Sequence, residues 1–347
     1  AQPGRIERRR ELRAARPMSG SKLPDGRIGL KHGAGGRAMR TLIEEVFAKG
    51  GTHALVDGIG LAAMDDGAAL RIGDRWLVLT TDSHVVQPAF FPGGDIGRLA
   101  VAGTVNDLAM MGATEVQALT CSVILEEGFS RADLEKIQGS IQATCAESGA
   151  VIVTGDTKVM GRGEIDGIVI NTTGIGWTDH VVPDSGLRPG DRIIVTGSMG
   201  DHGFAVLALR HDLDLEGDLR SDVAPLGELI RAALAAGGDN VVAMKDPTRG
   251  GLASALHEMA GKSGVGILLE EAAVPLREEV RAASELLGID PLHVANEGKA
   301  VLGVRSEASA RVLDALRSHP LGKQAAIIGH CLSEQTGRVV VDTGFGR

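Results

Sequence analysis

Residues 65–82 read Asp65-Asp66-Gly67-Ala68-Ala69-Leu70-Arg71-Ile72-Gly73-Asp74-Arg75-Trp76-Leu77-Val78-Leu79-Thr80-Thr81-Asp82. Two apolar runs, 68–72 and 76–80, flank Gly73-Asp74, a two-residue connection of the kind that closes a β-hairpin. The stretch predicts strand, turn, strand, with carboxylates at both ends: Asp65 and Asp66 before the first run, Asp82 after the second.

Acids beside apolar runs recur further along, at Asn106-Asp107, at Gly155-Asp156-Thr157-Lys158 and at Lys245-Asp246-Pro247-Thr248-Arg249-Gly250-Gly251. Together with the first stretch they read as five acid-bearing turns or strand ends. A single carboxylate in such a place is ordinarily a turn residue. Several converging would make an oxygen site for Mg²⁺, which prefers octahedral oxygen coordination and binds few protein ligands plus phosphate and water. The candidate ligands are Asp65 or Asp66, Asp82, Asp107, Asp156 and Asp246, with Asn106 as a neutral oxygen donor.

A polyphosphate also needs donors without bulk. Lys31-His32-Gly33-Ala34-Gly35-Gly36 precedes a helical pattern through Met39, Leu42, Ile43 and Phe47, and Gly93-Gly94 makes a second such turn. Backbone amides of either could face an anion, although a flexible loop reads equally well and no Walker pattern occurs. Lys158, after Asp156, is placed to neutralise charge on a transferring phosphoryl group. Glu297, in Asn296-Glu297-Gly298-Lys299 before an apolar strand, reads as a general base, a group orienting a nucleotide, or a plain turn carboxylate. Asp246 to Gly251 leads into a helix whose N-terminus suits an anion. The histidines, His53, His84 and His202 among them, show no helical metal spacing and read as solvated or core residues.

At 347 residues, 43% hydrophobic, the chain can hold two domains with separate cores. It has 49 glycines without a Gly-X-Y period, which points to tight turns rather than collagen. There is no tyrosine and the net charge is -9, so nucleic acid is a poor partner. No apolar run reaches the roughly 20 residues of a membrane span. The basic stretch from Arg5 to Arg16 lacks a following apolar segment and reads as a solvated extension or a partner-binding arm. Cys121, Cys145 and Cys331 lie far apart without metal or framework spacing, which fits reduced structural thiols in the cytoplasm.

The rest of the pattern predicts helices over 96–111 and 131–148, the second capped by Ser130 and closed near Gly149. Strands are expected over 116–125, 151–153 and 165–175. The turn-rich stretch 184–191 is the domain boundary. Beyond it come strands over 192–196, 266–270 and 300–304 and helices over 224–236 and 251–263. The expected organisation is a basic extension (1–26), an N-terminal domain (27–183) and a C-terminal domain (184–347), each α+β or α/β.

Taken in order, Gly33–Gly36, Asp65-Asp66-Gly67-Ala68, Thr80-Thr81-Asp82, Asn106-Asp107-Leu108-Ala109, Thr154-Gly155-Asp156-Thr157-Lys158, Asp246–Gly251 and Asn296–Lys299 resemble the aminoimidazole ribonucleotide synthetase superfamily. His32–Gly36, Thr81-Asp82-Ser83-His84-Val85-Val86, Pro92–Gly97, Asp246–Gly251 and His319-Pro320-Leu321-Gly322 narrow the resemblance to its hydrogenase-maturation branch, the HypE family of carbamoyl dehydratases. The resemblance runs from about residue 27 onward.

It implies a two-domain α+β fold: an N-terminal mixed-sheet domain that makes a homodimer through a β-barrel-like assembly, and a C-terminal α/β domain. It implies ATP and Mg²⁺ in the cleft between the domains, and dehydration of a carbamoyl group on a cysteine thiol to a thiocyanate, the cyanide source for the nickel–iron hydrogenase centre. Lys158 would stabilise charge and Glu297 would assist proton removal. Gly33, Gly35, Gly36, Asp65, Asp66, Asp82, Asn106, Asp107, Asp156 and Asp246 would share the metal and nucleotide work. The implied partners are a carbamoyltransferase, HypF, and a cyanide-accepting scaffold pair, HypC–HypD.

The family carries its acceptor cysteine at the end of a Pro-Arg-Ile-Cys tail, whereas this sequence closes on Gly344-Phe345-Gly346-Arg347. The expectation is a chain that binds and slowly hydrolyses ATP without completing the cycle, with Cys331 a poor substitute. Alternatives are a small-molecule kinase, a selenophosphate synthetase (which would want a reactive Cys in the glycine loop), or a non-catalytic nucleotide-binding scaffold.

Overall fold

The computed structural model describes residues 27–48, 57–213, 217–344 and 346. The basic extension 1–26, His53 and the ending residues Phe345 and Arg347 lie outside them. The chain divides after Phe47 into two compact units. In the first, a 3-10 turn (Leu30–His32) leads through the glycine loop to α1 (Gly36–Leu42), and a wider π turn (Ile43–Phe47) takes up the rest of the predicted helix.

The second unit contains two six-stranded sheets. It opens with β1 (Gly58–Ile59), β2 (Ala68–Ile72) and β3 (Arg75–His84), followed by the small hairpin β4 (Phe90–Phe91) and β5 (Gly94–Asp95). Then come α2 (Ile96–Met110), β6 (Glu115–Glu126), α3 (Arg131–Ser148), β7 (Ile152–Met160) and β8 (Ile168–Thr178). The predicted hairpin is present, with Ile72 paired to Arg75 across Gly73-Asp74. The first sheet runs β1-β2-β3-β8-β6-β7, antiparallel except for β6 and β7. Ser130 caps α3 by accepting from the Asp133 amide at 3.3 Å, and Gly149 ends it in the left-handed region.

Alternation decides the faces of this sheet. Val78, Thr80 and His84 on β3 and Ile170, Thr172 and Gly174 on β8 are buried, and the intervening residues are less so. The buried face packs on α2 and α3 around Ile96, Leu99, Ile137 and Ile141. Helix α2 is buried along almost its whole length; Arg98 and Asp107 are the exceptions. Such all-round burial marks a helix packed on several sides. Its first turns meet the first sheet, whereas Ala109 and Met110 join the core of the second.

The second sheet is built from β9 (Arg192–Val195), β10 (Val241–Lys245), β11 (Gly266–Glu270), β12 (Val301–Val304), β13 (Ala326–Leu332) and β14 (Val339–Asp342). Its order is β10-β12-β9-β13-β11-β14, antiparallel except for β11 and β14. The helices of this half are α4 (Asp201–Arg210), α5 (Gly227–Gly237), α6 (Gly251–Ser263), α7 (Glu278–Leu287) and α8 (Ser309–Ser318). On β9, Ile193 and Val195 pack toward α6, while Ile194 packs toward α5 and α8. Burial on both faces explains why these strands are continuous apolar runs rather than alternating ones. Each fully buried Ile or Val there contributes about 1.5–3 kcal/mol.

Candidate active site

Four predicted carboxylates come together where the two sheets meet. Asp66 precedes β2, Asp82 lies near the end of β3, Asp107 sits in the last turn of α2, and Asp246 follows β10. Three of the five acid-bearing stretches are therefore not turns: Asp82 is inside a strand, Asp107 inside a helix and Asp156 inside β7. Polar residues on the buried face of β3 hide its continuation past Thr80. Thr80 Oγ1 carries one proton that can serve either Asp107 Oδ2 or the Asp66 carbonyl, both 2.9 Å away.

The mutual proximity of these groups is written in their proton affinities. Burial, then the charges of Asp246, Asp66 and Asp82, hold Asp107 well above the usual carboxylate range. Asp246 is pushed up in the same way, by burial and then by Asp66, against the lowering influence of Lys245 and Arg249. Glu297 is raised by burial first, then by Asp246, Asp222 and Asp82. Arg249 Nη2 meets Asp82 Oδ1 at 3.1 Å, bringing a guanidinium to the edge of the group.

A buried lysine closes the far side. Lys245 Nζ lies 2.5 Å from Asp66 Oδ1 and 3.5 Å from both Asp184 and Glu258. Lys262 Nζ contacts Asp184 Oδ2 at 2.6 Å and the Met64 carbonyl at 2.5 Å. Lys262 and Glu258 were not singled out from sequence, and Lys245, Thr80 and Asp184 appeared there only within quoted stretches, with no role in the site. The one available signal was Lys245 itself, a charge closing the apolar run Val241–Met244.

The arrangement suits a divalent cation. Asp66 Oδ2 is buried without a hydrogen-bond partner, and the carboxylates here exceed the nearby cations. Among the described residues no group of three or more His, Cys, Asp or Glu side chains is gathered tightly enough to hold a metal ion alone.

Other predicted residues are placed differently. Asp65 turns away: its Oδ1 accepts from the Asp66 amide at 2.9 Å and its Oδ2 from the Asp184 amide at 3.1 Å. Burial, then Asp184 and Asp66, raise its carboxyl to about 7. The expectation of Asn106 as a ligand oxygen does not match its bonding. Its Oδ1 accepts from the Leu226 amide at 2.7 Å, and its Nδ2 donates to the carbonyls of Ala224 (3.0 Å) and Glu297 (3.4 Å). It is a staple between α2 and two loops.

Gly93-Gly94 is not an open anion turn either. A Cβ on Gly93 would lie 2.7 Å from the Ser221 carbonyl, so the turn is packed against the chain. Asp156 and Lys158 lie on exposed β7, three strands from β3, roughly 14 Å at ordinary strand spacing. Register pairs Ser122 with Asp156 and Ser122 with Asn171, and Asp82 with Thr172. Asp156 and Lys158 thus project from the sheet face opposite to Asp82. Gly33, Gly35 and Gly36 belong to the separate N-terminal unit.

The loop after Asp246 is shaped for close packing. Gly250 and Gly251 have φ of 79° and 63°, and a Cβ on Gly251 would meet the Leu292 carbonyl at 2.6 Å. Asn296, fully buried, donates to the Pro247 and Val294 carbonyls and accepts from the Gly200 amide at 2.6 Å. It ties the loops at 200, 247 and 294 into one frame.

Residues 64–178 match the family model for the N-terminal domain of AIR synthase related proteins, and residues 188–342 match that for their C-terminal domain. A carbamoyl dehydratase HypE of Rhizobium leguminosarum bv. viciae is 48% identical over 326 residues, 93% of this chain and 91% of that protein. The crystal structure of a HypE–HypF complex superposes with a TM-score of 0.82 at 44% identity, covering 88% of this chain and 97% of that one. A hydrogenase maturation protein HypE in complex with ATP gives 0.76 at 42% identity, covering 91% and 95%. The chain belongs to the AIR synthase related proteins and, among them, to the HypE hydrogenase maturation family.

Proposed function

We propose that this protein is an ATP-dependent carbamoyl dehydratase that converts an S-carbamoyl group on a cysteine thiol into a thiocyanate for nickel–iron hydrogenase maturation. The observation that carries the reading is the convergence of Asp66, Asp82, Asp107 and Asp246, with Glu297 and Arg249 beside them, where the two sheets meet. The relatives named carbamoyl dehydratase, and the one bound to ATP, support it.

Asp66, Asp82, Asp107 and Asp246 would hold Mg²⁺, which when bound screens the phosphates and draws charge toward the γ-phosphoryl group. Arg249, oriented by Asp82, offers a guanidinium for phosphate oxygens. Asp65 braces the Asp66 turn, and Gly33, Gly35 and Gly36 stay candidates for binding phosphate by the sequence resemblance alone.

The carbamoyl oxygen attacks the γ-phosphorus and ADP leaves. The C–O bond then breaks, the oxygen departs with phosphate, and nitrogen gives up two protons as the C≡N bond forms. Glu297 is the proposed acceptor of a nitrogen proton, a carboxylate beside the acidic group whose proton affinity is raised by burial and then by Asp246.

Lys158 faces away from this cluster within one chain, so its role as a charge stabiliser requires a second copy. Val153 and Val159 on the edge strand β7, and Val151 just before it, are exposed at 58–66%, and among the described residues no strand pairs with the outer edge of β7, which suits a partner strand. A homodimer across this edge and the open sheet face would bring Lys158 and Asp156 of one copy toward the other's site. HypF and HypC–HypD are the proposed carbamoyl donor and cyanide acceptor.

None of the three cysteines is exposed. Cys331 is buried and pushed up to about 12, Cys145 is buried, and Cys121 is raised by burial within β6. Mass spectrometry with ATP and an S-carbamoylated cysteine peptide tests the proposal. Loss of water from the peptide with formation of ADP is the expected result. ADP with a phosphorylated small molecule and no water loss would identify a kinase instead.

A further inference from the structure

We propose that Asp222 is a positioning residue for Glu297, setting the second half of the site against the first; this rests on Glu297 as the proton acceptor. Asp222 was in no predicted motif, yet its carboxylate is spent on the Glu297 loop. Oδ1 accepts from the Glu297 amide at 3.1 Å, and Oδ2 accepts from Lys299 Nζ at 3.1 Å. Both side chains of that pair are buried, at 3% and 11% exposure. Between them Gly298 lies flat on the Asp222 backbone, where a Cβ would fall 1.9 Å from its carbonyl oxygen.

The segment carrying Asp222 is itself held by the first half of the molecule. The Ser221 amide donates to the Pro92 carbonyl at 2.9 Å, and Arg98 Nε donates to the Val223 carbonyl at 3.0 Å. Asn106 takes the Ala224 carbonyl and the Leu226 amide. Residues 221–226 are thus a strap fixed to α2, the helix that presents Asp107. Asp222 is the side chain that extends this frame to Glu297, while Asn106 holds the Glu297 carbonyl from the other side. Displacement of a catalytic group by about 1 Å costs up to roughly a hundredfold in rate. The charges facing Glu297 are Asp246 after β10, Asp82 on β3, Asp222 on the strap and the opposing Arg249.

The test is a double-mutant cycle on peptide dehydration, with KM for ATP measured beside kcat. Asp222→Ala is expected to lower kcat roughly tenfold to a hundredfold with KM for ATP within about twofold. Asp222→Asn, which keeps an oxygen for the Glu297 amide, should recover most of that loss. In a Glu297→Gln background, Asp222→Ala should add less than about twofold, because its effect runs through Glu297. Equal losses in both backgrounds, or a raised KM for ATP with kcat intact, would overturn the proposal. Glu297→Gln at the unmodified rate removes its premise, and is told apart because the single Asp222 variants do not enter that comparison. If Asp222→Ala does not fold, Asp222→Leu with Lys299→Met removes the acceptor and both charges while keeping volume, and carries the same kcat comparison.

Discussion

Lys245 Nζ is 2.5 Å from one oxygen of Asp66, and the other oxygen of that carboxylate is buried with no partner. One half of the aspartate is fixed by the protein and the other half faces the acidic group formed with Asp107 and Asp246. The lysine makes a buried anion tolerable and sets its orientation in the same contact.

Breaking that pair should be costly. Lys245→Met leaves Asp66 and Asp184 without their shared cation, and removal of one partner from a buried pair costs about 3–5 kcal/mol. Urea denaturation should show a midpoint lowered accordingly. An unchanged midpoint would mean that the pair contributes nothing to the fold.

Asp65 gives a pH signature. Its carboxyl is raised from 3.8 to about 7 in the folded chain, so between those values the native state holds a proton that the unfolded state has lost. Native stability from this group is full below pH about 4 and declines as pH rises toward 7. Asp65→Asn cannot titrate, so its stability relative to the unmodified protein should improve steadily across that window in paired melts. A difference that stays flat with pH is the contrary result.

Removal of divalent cation should weaken nucleotide binding. Burial first, and then the neighbouring carboxylates, disfavour further negative charge at Asp107 and Asp246, so a polyphosphate gains little there without a cation between. Calorimetric titration of ATP in chelator should show affinity lowered roughly tenfold or more, about 1.4 kcal/mol. Asp246→Asn should reduce the Mg²⁺ effect. ATP binding of equal strength without metal contradicts the carboxylates' role.

Lys158→Ala should abolish turnover and leave the melting profile unchanged, because the side chain is exposed. If Lys158 serves a second copy, mixing Lys158→Ala with Asp246→Asn protein should restore activity. Random exchange between two inactive homodimers would give about a quarter of the unmodified level. A mixture that stays inactive after subunit exchange has been verified would exclude the shared site.

Much of the fold was readable along the chain. The hairpin 68–80 and the helices at 96–111 and 131–148 lie close to their predicted places, because alternation, a two-residue turn and a Ser/Gly cap pair are local signals. The strand expected over 165–175 begins at Ile168 instead, and β7 continues to Met160 past polar residues that had read as a turn. Helices α4, α7 and α8 were not predicted, nor were β10, β13 and β14.

Site residues divided along the same line. The sequence by itself supplied the set of acids, their order and the family they resemble, since those are properties of residue type and spacing. Only the tertiary structure separated Asp66 from Asp65, turned Asn106 and Asp222 into staples, and put Lys158 on the wrong face of the sheet for its own chain. The reason is that a carboxylate's role follows from which donor reaches it first. The Asp184 amide, 119 positions along the chain, claimed one oxygen of Asp65, and Lys245, 179 positions along, claimed one oxygen of Asp66.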